Sequence, residues 1–271
     1  MKITFIGGGN MVNALIGGLL RKGFANADLR AVEIDPGARA RLQAKFGVAS
    51  VDRLPAVSDE EIILFAVKPQ QMREAAVNSG LSANANLVIS IAAGITLASL
   101  SRWLGAHRRL IRAMPNTPAL IGEGVSGLCA LDRGTVTDDD RNRAETILRA
   151  VGSTVWMENE AQMDAVTAVS GSGPAYVFYF IEAVEEAARE LGLPIETARK
   201  LALETFAGAA RMAAISADPV VILRERVTSK GGTTEAAIAC MEADQVKRAI
   251  VRAIFAAKDR GRELGERLDK D

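Results

Sequence analysis

The sequence predicts an α/β protein: a Rossmann-type doubly wound sheet in the first part of the chain, followed by an all-helical C-terminal part. Three observations predict it. Lys2 to Ile6 read as a strand that runs into Gly7, Gly8 and Gly9 and then into Asn10 to Leu20, where Met11, Leu15, Leu19 and Leu20 recur at helical spacing. Ile62 to Val67 and Leu87 to Ile91 are too uniformly apolar for a one-faced sheet and fit parallel strands buried on both sides. After about residue 160 the strand signal stops, and the remainder is alanine-rich with helical periodicity.

Taken in order, the first strand, glycine turn and helix aim unpaired N–H groups and the positive end of a helix dipole at whatever lies over the glycines, which suits a pyrophosphate. The pattern is Gly7-x-Gly9-x-x-Val12, with a valine where a third small residue is usual; an ordinary strand-turn-helix is the plainer alternative. Context favours the nucleotide. A second strand, Leu29 to Ile34, carries Glu33 near the roughly 20-residue offset at which a carboxylate meets the adenosine ribose. Pro36 opens a helix that ends before Gly47.

Val48 to Val51 and Ile62 to Val67 follow as strands, the latter ending at Lys68-Pro69. Ligands of a doubly wound sheet lie beyond the carboxyl ends of its strands, so Ala66, Val67, Lys68 and Pro69 should border the same crevice as Gly7 and Gly9. Lys68 is either a cofactor-side cation or a solvated lysine. Ala92-Ala93-Gly94, after Leu87 to Ile91, would let a flat ring approach the backbone or simply allow close packing. A helix Thr96 to Leu104 and a strand Leu110 to Ala113 lead to Met114-Pro115-Asn116-Thr117-Pro118, a rigid strand end. Val125 to Leu128, a helix from Asp138 to Val151 closed by Gly152, and Thr154 to Met157 complete the sheet. The dinucleotide-binding domain is therefore placed at residues 1–160 and a helical domain at 161–271.

In the helical part, Ser170-Gly171-Ser172-Gly173-Pro174 breaks one helix and starts the next, whose stripe is Val177, Phe180, Ile181, Val184, Ala188 and Leu191. Ile195 to Ile215, a short helix capped by Asp218-Pro219, and helices from Glu235 to Met241 and beyond Val246 follow. These helices lack an adequate solvent face, so burial against a second copy is expected.

Composition narrows the function. Lys plus Arg and Asp plus Glu are 33 each, so no basic field draws nucleic acid or an anionic membrane. Cys129 and Cys240 have no C-x-x-C spacing, and with one histidine, His107, there is no metal cluster; His107 itself, in Ala106 to Leu110, reads as a surface residue. No charged-then-apolar leader precedes the first strand, and the longest uncharged run, Ala75 to Ser101, is broken by Asn78, Gly80 and Asn86. A cytoplasmic protein is expected. With no lysine between Lys68 and Lys200, neither a histidine relay nor a lysine acid is on offer. What remains is hydroxyl-rich and glycine-framed: Ser170 and Ser172 at one helix start, and Ser229, Thr233 and Thr234 at another. Such helix starts can bind a carboxylate or be mere caps. They suit hydride addition to a C=N bond, which needs little acid-base help.

These stretches, Phe5 to Met11, Ala66 to Pro69, M-P-N-T-P at 114 to 118, Ser170 to Tyr176 and V-T-S-K-G-G-T-T at 227 to 234, resemble the pyrroline-5-carboxylate reductase family over essentially the full length. The resemblance implies reduction of 1-pyrroline-5-carboxylate to proline by NADPH or NADH, with the all-α C-terminal part as a dimerisation domain in an intertwined homodimer that can assemble further, for instance into a decamer. Cofactor-binding residues would be Gly7, Gly9, Asn10, Met11, Glu33, Ala66 to Pro69, Ala92, Ala93 and Asn116. The 228 to 234 loop would hold the substrate carboxylate, through Ser229, Gly231 and the N–H groups of Gly232 and Thr233, with Ser172 nearby and Thr234 beside the imine nitrogen. Lys230 stands where the family usually has proline, and Glu33-Ile34-Asp35 where NADPH-preferring members often carry a small polar residue and arginine. A nucleotide sensor without catalysis, or another NAD(P)-dependent imine or 2-oxoacid reductase, are the competing readings.

Overall fold

The structure is a computed structural model that describes residues 1–81, 86–132 and 134–270. Its eight strands, β1 (Ile3–Ile6), β2 (Leu29–Val32), β3 (Ala49–Val51), β4 (Ile62–Phe65), β5 (Val88–Ser90), β6 (Leu110–Met114), β7 (Gly124–Ala130) and β8 (Gly152–Trp156), form one sheet in the order β3-β2-β1-β4-β5-β6-β7-β8. The chain switches direction of growth between β1 and β4, which opens a crevice beyond their carboxyl ends. β6 and β7 pair antiparallel, reversing the last two strands. The connection explains this: only the Pro115 to Glu123 segment joins them, too short for the dozen or more residues of a parallel crossover.

Helices α1 (Asn10–Arg21), α2 (Pro36–Phe46), α3 (Met72–Asn78), α4 (Leu97–Trp103) and α5 (Asp138–Leu148) cover the sheet. Their ends follow the sequence signals. Asp35 caps α2 by accepting from Gly37 N–H (3.1 Å) and Ala38 N–H (2.8 Å), which, Ala38 first, hold its carboxyl below the ordinary value. Gly47 ends α2 in the left-handed region. Thr137 and Asp140 form a capping box on α5. Two apolar clusters, one containing Phe5, Leu15 and Leu64, the other Phe65, Met72 and Leu97, fill the space between sheet and helices. Burying each such side chain is worth about 1.5–3 kcal/mol.

Val12 is fully buried in the first of these clusters, and the closest approach along α1 falls instead at Gly18, where an added Cβ would lie 2.4 Å from Ala150 O. Strands β2 and β4 are shorter than their apolar runs, so Glu33 and Ala66 to Pro69 emerge onto the loops at the crevice. His107 is not a surface residue: it is fully buried and its Nε2–H donates to Asn86 O (2.9 Å), a partner its arginine-flanked sequence does not reveal. Among the described residues no helix is long and apolar enough to cross a membrane.

By packing, the chain forms two compact units, residues 1–172 with 257–271, and residues 173–256. The change of secondary structure near 160 precedes this division: α6 (Gln162–Val166) and a π-helical turn (Thr167–Gly171) still belong to the first unit. The second unit holds α7 (Gly173–Glu190), α8 (Ile195–Ile215), α9 (Val220–Arg226), α10 (Thr233–Ala243) and the beginning of α11 (Val246–Lys270). Pro219, not Asp218, is the N-cap of α9; the Asp218 carboxylate takes the Arg226 guanidinium instead.

Candidate active site

The glycine turn assigns a separate task to each glycine. Gly7 has φ +113°, donates its N–H to Val32 O (2.7 Å), and would place a Cβ 2.8 Å from Ala66 O. Only glycine fits there. Gly8 N–H donates to Glu33 Oε2 (2.7 Å), and a Cβ at Gly8 would strike the same oxygen at 2.9 Å. Gly9 is the N-cap of α1, has no atom within 4 Å of an ideal Cβ, and makes no side-chain cap. Asn13 braces the turn by donating Nδ2–H to Gly9 O (3.0 Å) and Gly8 O (3.2 Å). The first N–H groups of α1 thus face open space, which fits a pyrophosphate.

Gly7, Gly9, Glu33, Ala66, Val67 and Lys68 line one cleft of about 650 Å³, within the range of ligand sites. Pro69 begins the short turn after exposed Lys68. Asn10 lines a second hollow beside the glycines, while the Met11 side chain packs against the first apolar cluster. Both Glu33 carboxylate oxygens are engaged, Oε2 by Gly8 N–H and Oε1 by Asp35 N–H (2.9 Å). Arg39 donates to the carbonyls of Glu33 (2.7 Å) and Ile34 (3.0 Å).

Sequence reasoning missed the far wall: Asp52 and Arg53 after β3, and Gln71, Glu74, Ala75 and Asn78 on or beside α3. The signal existed, since Asp52 follows a strand end and 71, 74, 75 and 78 share one helical face.

Three expected residues are placed elsewhere. Ala92 is buried in the second apolar cluster and Ala93 is half-buried; neither lines the cleft. Gly94 (φ +78°) meets α11, where a Cβ on Gly265 would lie 2.7 Å from Gly94 O, so the small turn serves close packing. Asn116 is buried with both amide ends used: Oδ1 accepts from Val125 N–H (2.9 Å), and Nδ2–H donates to Ser170 O (3.1 Å). Nearby, Arg112, also buried, pairs through Nη1 with Glu160 Oε1 (2.9 Å), which accepts Leu97 N–H (2.7 Å) as well; Asp164 Oδ1 lies 3.8 Å from Arg112 Nη2.

In the second unit, residues 228–234 make a tight turn into α10. Gly231 has φ +73° and donates its N–H to Glu235 Oε2 (2.6 Å); Gly232 N–H donates to Ser229 O (3.0 Å). Gly232 is therefore bonded inside the turn, and the N–H groups of Thr233 and Thr234 are the ones presented at the helix start. Gly232, with no side-chain cap, is also the N-cap, so α10 begins at Thr233 rather than Glu235. Thr233 and Thr234 are exposed, and within the described residues neither hydroxyl has a hydrogen-bond partner. Thr234 is not a cap. Ser229 and Lys230 are exposed on the same turn, whereas Ser172 is half-buried at the end of the π-turn in the first unit.

A mostly parallel sheet, with an uncapped helix start over a glycine turn at its switch point, defines a dinucleotide-binding domain. The family model described as NADP oxidoreductase coenzyme F420-dependent matches residues 2–94, and that described as pyrroline-5-carboxylate reductase dimerisation matches residues 160–264. The pyrroline-5-carboxylate reductase of Pseudomonas aeruginosa is 46% identical over 273 residues, covering 98% of each chain. A solved pyrroline-5-carboxylate reductase from Coxiella burnetii superposes with a TM-score of 0.89 at 41% identity, over 97% of this chain and 98% of that one. The pyrroline carboxylate reductase of Plasmodium falciparum, solved with NADP bound, gives a TM-score of 0.83 at 28% identity, over 98% of each. The chain belongs to the pyrroline-5-carboxylate reductase family.

Proposed function

We propose that this chain reduces 1-pyrroline-5-carboxylate to proline with NADPH or NADH, the last step of proline synthesis. The observation that carries the site assignment is the 228–234 turn, which opens an uncapped helix with two free threonine hydroxyls. The dinucleotide, when bound, supplies the hydride. Its pyrophosphate would rest on the N–H groups opened by Gly9, with Glu33 and Lys68 on the walls of the cleft.

The remaining chemistry belongs to the chain's own groups. The substrate carboxylate is held by the Ser229 hydroxyl and the N–H groups of Thr233 and Thr234 at the positive end of α10. Because an iminium already carries its proton, the Thr234 hydroxyl orients the ring and receives the forming amine in a hydrogen bond, rather than delivering a proton across a large pKa gap. The family's dimerisation domain and the exposed apolar helix faces support an intertwined dimer, from which a larger assembly such as a decamer would be built. Unpaired Cys129 and Cys240 fit a reducing cytoplasm.

The test is the loss of reduced dinucleotide on adding 1-pyrroline-5-carboxylate, for the parent and for Thr234→Ala. The variant is expected to fold and bind dinucleotide normally while kcat/KM for the imine falls at least about tenfold, with Thr234→Ser recovering most of it. Thr234→Ala at the parent rate would overturn the assignment.

A further inference from the structure

We propose that Asn116 is a positioning residue for the imine step, acting through Ser170 to hold a π-turn that aims Ser172. The proposal rests on the reductase reading above. Its origin lies in Pro174. A proline has no N–H, and its ring crowds the carbonyl four residues back, which here is Ser170. The chain responds by widening into a π-turn over Thr167–Gly171, closed by Ser172 N–H donating to Thr167 O (2.9 Å), five residues back.

Side chains then serve carbonyls of the widened segment. Thr167 Oγ1–H donates to Met163 O (2.8 Å) and Ser170 Oγ–H to Val166 O (2.9 Å). Asn116 Nδ2–H supplies Ser170 O with the donor that Pro174 cannot. The amide cannot be reversed without losing Val125 N–H, which Oδ1 accepts, so the direction of the bond is set. At Gly171 an added Cβ would lie 2.6 Å from the Met114 methyl, so the turn sits directly on the end of β6.

The same strand also holds the beginning of this segment, because Arg112 pairs with Glu160 and reaches Asp164 of α6. Arg112 of β6 and Asn116, two residues past its end, grip the segment at both ends. β6 runs parallel to β5, so Asn116 lies at the carboxyl face of the sheet, where the glycine turn also lies. Val125 and Ser170 engage both ends of this buried amide and fix its orientation.

Asn116→Asp is the discriminating variant: it is nearly isosteric, keeps an acceptor for Val125 N–H, and sets an oxygen against Ser170 O. With the parent enzyme assayed alongside, kcat for 1-pyrroline-5-carboxylate should fall at least about tenfold, while NADPH and NADH affinity by fluorescence titration stays within about threefold. Dinucleotide binding weakened beyond that limit, or kcat at the parent value, overturns the proposal. If circular dichroism shows Asn116→Asp unfolded, Ser170→Ala carries the same test through the Val166 bond, with a fall in kcat of about threefold and the same limit on dinucleotide affinity; parent kinetics there overturn it. A parent inactive on the imine overturns the reductase reading and the proposal together, whereas an active parent matched by both variants overturns the proposal alone.

Discussion

The two compact units differ in what they hide. In the first, β1 and β4 bury every residue, Phe5 and Phe65 are wholly enclosed, and even Asp140 is inaccessible. In the second, α7, α9 and α10 bury nothing and α8 buries only Ala198 and Ala202, while Phe178 and Tyr179 stand 66% and 71% exposed. The first unit owns its core. The second has the composition of a core and the exposure of a surface, as expected of helices that share their interior with another copy of the chain.

The largest test of that contrast places a charge on the helical unit. Phe178→Glu should weaken self-association by about a thousandfold, roughly 4 kcal/mol, in sedimentation equilibrium. Dinucleotide affinity should stay within about threefold, because the cleft is built wholly from the first unit. A parent chain that sediments as an active monomer at micromolar concentration would break the comparison outright.

The converse test removes a charge from the first unit, where the effect should fall on stability rather than association. Burial pushes the Asp140 carboxyl up, but the Arg109 guanidinium (Nη2 to Oδ1, 2.6 Å) and the Thr137 bonds outweigh it, and the group stays below its ordinary value. A lowered folded value means that this stabilisation is complete above the unfolded pKa of about 3.9 and is lost as pH falls below it. Arg109→Met should cost about 3 kcal/mol in denaturant unfolding at pH 7. It should also flatten the acid response: burial is then opposed by the Thr137 bonds alone, so the folded value moves up towards the unfolded one and the variant loses less stability than the parent as pH falls below about 4. A variant that loses as much stability as the parent over that acid range would show that Asp140 is not controlled by Arg109.

The smallest effect concerns cofactor choice within the first unit. Glu33 is fixed beside the glycines by Gly8 and Asp35, and Arg39 is occupied by two carbonyls, so a 2′-phosphate would meet a held carboxylate. NADH should serve at least as well as NADPH in kcat/KM, although tenfold either way is only about 1.4 kcal/mol. Steady-state kinetics strongly favouring NADPH would refute this and point to Arg53, which is exposed on the same cleft.

Local patterns in the chain announce much of this molecule. Strand, glycine turn and helix at residues 2–20, the caps at Asp35 and Gly47, the buried strands and the helix start near 233 depend on neighbours a few positions away, and they are visible in composition and spacing. What stays hidden depends on partners far along the chain. Val12 stands where a small residue is usual because the close approach has moved to Gly18 and Ala150. His107 reads as surface because Asn86, its partner, is remote. Asn116 looks like a strand-end contact for a cofactor, and only the fold reveals Val125 and Ser170 at its two ends. The reversal of β7 is implied by a short connection, but only once β6 and β7 are known to be neighbours.

The Gly94 and Gly265 contact reaches beyond packing. The last turns of α11 lie against the loop that follows β5, with Leu268 packed in the second apolar cluster and Asp269 paired with Arg102 (2.7 Å) and accepting from Ser99. Ser99 and Asp269 stand 170 positions apart in the chain, so this loop takes its support from residues that no local pattern links to it. A chain cut before Gly265 would keep the cleft residues but leave the loop after β5 without this support, because the first unit is completed by residues that follow the second in sequence.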